Sequence, residues 1–120
     1  MAKQDNHAKA SEPEAVSNPQ TAIEFVESGW SHYSKKEYYQ AESDFQKALE
    51  LEPDNADTQY ALAMTLMASN KPDESVKAFE KVISMLPVLE EKDPVRAHML
   101  NRLAVGHINR IQTGDWGINN

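Results

Sequence analysis

From Thr21 onward the larger apolar side chains fall three and four positions apart, a spacing that gathers them on one face of a helix rather than of a strand. Ile23, Val26, Trp30 and Tyr33 make the first such stripe. Thr21 followed by Glu24 has the spacing of a capping box, in which hydroxyl and carboxylate each satisfy a free backbone N–H. A helix is therefore predicted from there to about Lys36. After a Lys-Lys-Glu turn, Tyr38, Ala41, Phe45, Ala48, Leu49 and Leu51 carry the same period to Pro53, whose missing N–H stops the ladder. The two segments predict a helical hairpin.

The pattern then starts again. Asp54 or Asn55 can cap a third helix with Tyr60, Leu62, Ala63, Leu66 and Met67 on its apolar side. Pro72 suits the first turn of a fourth, with Val76, Phe79, Val82, Ile83 and Leu86 as its stripe and Pro87 as its stop. Residues 90–93 read as a linker. Asp93 and Pro94 then read as cap and first-turn proline of a last helix over 94–113, sustained by Leu100, Leu103, Ala104, His107, Ile108 and Ile111 up to Gly114. Residues 1–20 hold no aromatic and only Met1 and Val16 as larger apolar side chains, too little to offset ordering entropy, so they are predicted to be a disordered tail ahead of a helical domain over 21–120.

Shifting the sequence against itself by 34 residues sets Phe45–Pro53 (FQKALELEP) on Phe79–Pro87 (FEKVISMLP), with Phe, Lys and Pro identical. Matching stripes and matching stops at one offset mean that one supersecondary unit occurs twice, over 22–55 and 56–89. A helical hairpin of this length resembles the tetratricopeptide repeat. In the first unit Phe25, Ser28, Gly29, His32, Ala41, Phe45, Ala48 and Pro53 fall on its signature positions; in the second Gln59, Leu62, Ala63, Leu66, Ser75, Phe79, Val82 and Pro87 do. His32 and Gln59 depart from the usual aromatic. Arg102, Val105, Gly106 and Asn109 fall where a third first-helix signature would lie.

The resemblance implies an all-α, right-handed solenoid of antiparallel helix hairpins, about two and a half repeats long, packed through Phe25, Gly29, Ala41, Phe45, Ala48, Pro53, Leu62, Ala63, Phe79 and Pro87. It implies a concave face lined by the first helices. Ile23, Val26, Trp30 and Tyr33, then Tyr60, Met64 and Met67, then Leu103, His107 and Arg110 would lie along it. Aromatic and Met side chains in a groove suit an apolar peptide or amphipathic helix of a protein partner. Val26, Trp30 and Ala61 occupy the places where many relatives carry a Lys and Asn clamp for C-terminal carboxylates, so that mode is not expected. A second reading is a homo-oligomer, built on Leu103, Ile108, Ile111 and Trp116 of the incomplete last unit.

Composition narrows the chemistry. A net charge of −7 lacks the basic footprint that nucleic acid requires, and no apolar run is long enough for membrane insertion. The absence of Cys excludes disulfides and thiolate sites and fits a cytoplasmic protein. His7, His32, His98 and His107 lack paired metal-ligand spacing, and no glycine-rich phosphate loop or nucleophile elbow is present. The pairs Glu50/Glu52 and Glu90/Glu91 read as solvated charge. No metal, cofactor or enzymatic activity is expected.

Overall fold

The computed structural model describes residues 18–114. Among them are five helices, α1 Ala22–Ser34, α2 Tyr38–Leu51, α3 Ala56–Ala68, α4 Pro72–Lys92 and α5 Pro94–Thr113. The predicted tail over 1–20 falls mostly outside the described residues, as does Trp116.

The 34-residue period is visible in the backbone. Both α1 and α3 have 13 residues, and the starts of α1 and α2 recur 34 positions later in α3 and α4. Their caps follow the local chemistry. Thr21 Oγ1 accepts from Glu24 N–H at 3.2 Å, while Glu24 Oε1 accepts from the N–H groups of Gln20 and Thr21 at 2.9 and 3.3 Å. Those backbone donors, Gln20 first, hold the Glu24 carboxyl below its usual pKa. Asn55 Oδ1 does for α3 what Thr21 does for α1, accepting from Thr58 N–H at 3.1 Å.

The turns inside the two hairpins are also copies. α1 ends at Ser34, two residues before the predicted Lys36, because Lys36 adopts φ 63° and turns the chain; Asn70 does so with φ 65° after α3. Glu37 N–H reaches back to the His32 carbonyl at 2.9 Å and Lys71 N–H to that of Leu66 at 3.0 Å, satisfying carbonyls that a helix end leaves open.

The expected stop at Pro87 and linker at 90–93 are not found: α4 runs through Pro87 to Lys92, and only Asp93 separates it from α5. A proline inside a helix costs about 3 kcal/mol. Here it stands exposed, and the flanking Leu86 and Leu89 pack into the core. Burying a leucine fully contributes about 1.5–3 kcal/mol, so packing on both sides offsets the lost hydrogen bond.

Each helix packs mainly on its neighbours in the chain, α1 on α2, α2 on α3, α3 on α4 and α4 on α5. The core has two parts. Ala41, Phe45 and Ala61 form the smaller, edged by Val26, Tyr33 and Leu62. The larger is built on Ala63, Leu66, Phe79, Val82, Leu86, Leu100 and Ala104. Gly29 brings α1 close enough to α2 that a Cβ there would lie 2.7 Å from the Phe45 ring.

Candidate functional site

Packing in the first hairpin leaves one side of α1 open. A cleft of about 270 Å³ runs between α1 and the start of α3, with Ala22, Ile23, Val26 and Trp30 on one wall and Thr58 and Ala61 on the other; Glu52, Asn55 and Asp57 close its rim. Ile23 is 66% exposed and Trp30 39%, although both belong to the apolar stripe of α1. Trp30 is fixed in place by edge-on contacts with Tyr33 and Phe45, at centroid distances of 5.2 and 5.1 Å. An apolar wall held rigid in this way loses little entropy when a ligand settles on it.

The structure brings Val26, Trp30 and Tyr33 together on α1. Tyr60, Met64 and Met67 are half-buried on α3 and pack against the larger core, away from the cleft lining. Tyr60 shares a 3.1 Å hydrogen bond with His107 Nε2 and sets its ring edge-on to Phe79. His107 is 7% exposed and stacks on Phe79 at 4.9 Å, so the surface it offers a ligand is small. Its place is between α3, α4 and α5. Burial pushes the His107 imidazole below its usual pKa and Arg110 adds to this, while burial raises the Tyr33 and Tyr60 phenols. Arg110 is exposed on α5.

Of the residues expected to pack the hairpins, Gly29, Ala41, Phe45, Ala48, Ala63 and Phe79 are buried, and Phe25 and Leu62 are half-buried. Pro53 and Pro87 are exposed at the surface. Sequence reasoning missed the polar ties across the hairpins. Ser28 Oγ donates to Asp44 Oδ2 at 2.6 Å, His32 Nδ1 lies 2.7 Å from Glu37 Oε1, and Gln59 Nε2 donates to the Ala78 carbonyl at 3.2 Å. His32 and Gln59, which stand in place of the usual aromatics, each find a polar partner across the turn: His32 at Glu37, the cap residue of α2, and Gln59 at Ala78 on α4. Hydrophobic period carries no signal for such pairs.

Among the described residues no group of three or more His, Asp or Glu side chains is arranged to hold a metal ion, and no helix is long and apolar enough to cross a membrane. What the arrangement offers is surface. A tetratricopeptide repeat family model matches residues 32–100, from the end of α1 into α5. No curated protein and no solved structure matched the chain. Repeats of this family generally mediate protein–protein interaction and are typically not catalytic. With the match covering more than half of the sequence, and two hairpins repeating at 34 residues with the same turns, the chain belongs to the tetratricopeptide repeat family.

Proposed function

We propose that this protein is a cytoplasmic adaptor that binds a helical or extended apolar segment of another protein along its concave side, without catalysing a reaction. The observation that carries this reading is the cleft between α1 and α3, where Ile23 and Trp30 expose apolar surface on either side of the half-buried Val26. On this reading Tyr33, Tyr60, Met64 and Met67, half-buried against the two cores, would add only their outer edges to the contact, and Arg110 a charge at the far end. Large rigid rings beside adaptable Met side chains suit partners that are apolar but varied in shape.

Ile23 gives the cleanest test, because its side chain is mostly exposed and its replacement leaves the core intact. Peptides selected on the intact chain from a random library should bind Ile23→Glu at least about tenfold more weakly. They should also shift Trp30 emission to shorter wavelength in a Trp116→Phe background. Selected peptides that bind Ile23→Glu as tightly as the intact chain, with no change in Trp30 emission, would remove the cleft from the reading.

A further inference from the structure

We infer that the turn between α2 and α3 is a recognition ridge for a segment of another protein that carries a Lys or Arg between two large apolar side chains. This depends on the cleft reading above: one apolar side chain enters the cleft beside α1, the basic one meets the turn, and the other apolar one settles against α4.

The second apolar seat exists because α4 does not stop where α2 does. Pro87 stands 34 positions after Pro53, yet α2 ends at Leu51 while α4 runs on to Lys92. The continued helix sets Met85, Val88, Leu89 and Lys92, spaced as one helical face, against the α2–α3 turn, and together they enclose a depression of about 510 Å³. Met85 and Leu89 pack on the larger core from there, whereas Val88 is left 62% exposed.

This depression and the cleft share a wall. Glu52, Asn55 and Asp57 line both, so the turn is a ridge between two apolar hollows. Ile23 and Trp30 belong to one hollow and Val88 to the other. A segment laid over the ridge fills both, and its second anchor reaches its seat at a high effective concentration once the first is bound.

Charge selects what crosses. Glu52, Asp54 and Asp57 are exposed along the ridge, and Lys92 is the one basic side chain among those lining the two hollows. Arg96 holds Asp57 at 3.4 Å, but among the described residues Glu52 and Asp54 have no ion-pair partner. The backbone that carries them is fixed at both ends: Glu52 N–H donates to the Ala48 carbonyl at 2.9 Å, and Asn55 Oδ1 accepts from Thr58 N–H at 3.1 Å. An incoming Lys or Arg therefore meets unpaired carboxylates on a held turn, while an acidic residue in its place is repelled.

The test selects a displayed library of random peptides on the 120-residue chain. Enriched sequences should place Lys or Arg between two large apolar residues. A labelled synthetic peptide of the enriched sequence, followed by fluorescence anisotropy, should bind about tenfold more weakly to Glu52→Gln combined with Asp54→Asn. Val88→Ser and Ile23→Ser, neutral changes at exposed positions, should each weaken it about fivefold or more. Added salt should weaken binding to the intact chain and change little in the carboxylate variant. Enriched peptides without a basic residue overturn the inference, as do peptides that bind the carboxylate variant or Val88→Ser, folded by circular dichroism, as tightly as the intact chain. If Ile23→Ser still weakens those peptides, the cleft reading stands alone. Indifference to Ile23→Ser, or no enrichment at all, overturns both. An oligolysine that binds as tightly as the selected peptide would reduce the ridge to bulk charge, and a dimer in light scattering that the carboxylate variant dissociates would give it to a second copy; either result overturns the inference.

Discussion

The two hairpins share a period, a turn and a cap position, yet they are held together differently. Between α1 and α2 the apolar core is small, and polar contacts supplement it: Ser28 with Asp44, and His32 with Glu37. Between α3 and α4 the core is larger and continues onto α5 through Leu100 and Ala104. Gly29 and Ala63 occupy the same position of the repeat, but only at Gly29 does the facing Phe ring leave no room for a Cβ. Size at one position sets how closely two helices approach, and the rest of each interface adjusts to that distance.

The contrast is sharpest under truncation of the two equivalent phenylalanines. Phe45→Ala and Phe79→Ala are each expected to cost about 3–5 kcal/mol, with Phe79 at the upper end because its ring also carries Tyr60 and His107. Urea unfolding of the two variants measures this, and a larger loss at Phe45 would contradict the division of the core drawn above. Next in size, Gly29→Ala should destabilise by about 1–3 kcal/mol through overpacking against Phe45, despite the better helix propensity of alanine. Calorimetry showing stabilisation would mean that the ring moves aside without cost.

A smaller effect tests the turns. Lys36 and Asn70 adopt the same left-handed conformation, which asparagine tolerates better than lysine. Lys36→Gly should therefore stabilise by about 1 kcal/mol, and Asn70→Gly by less, in parallel thermal melts.

Mild acid should act where α3, α4 and α5 meet, at His107. The folded state depresses the His107 pKa, so the unfolded chain binds the proton more readily. This contribution is full above the unfolded value near 6.5 and is lost as pH falls from there toward the folded one. His107→Gln should flatten that slope in stability measured between pH 7 and 5. The smallest expected effect is Arg96→Ala. It removes an exposed 3.4 Å ion pair with Asp57 that joins α5 to the start of α3, worth up to about 1 kcal/mol and weakened by salt.

Much of this architecture was legible in the residues. The spacing of Phe45 and Phe79, the capping pair Thr21 and Glu24, and the small residues at 29, 41 and 63 each state a local rule that the fold obeys. Pro87 shows where local rules lose: its ring penalises the helix, but the packing of Leu86 and Leu89 is a tertiary fact that no short window contains. The candidate groove was legible by face and not by depth. The helical period assigned Trp30 and His107 to similar positions, yet one helix leaves its aromatic partly open while the other is roofed by Tyr60 and Phe79. Exposure depends on which neighbour covers a stripe, and the polar ties that settle it join residues as far apart as Tyr60 and His107.

That each helix rests chiefly on the next along the chain bears on how the molecule is assembled in time. Few distant segments must find each other before contacts begin to repay the loss of chain freedom, so contact order is low and folding is expected within the microsecond-to-millisecond range of helical proteins. The same arrangement lets order be lost from one end while the other persists. Native-state hydrogen exchange should thus run fastest in α1, next to the smaller core, and slowest around Phe79 in α4.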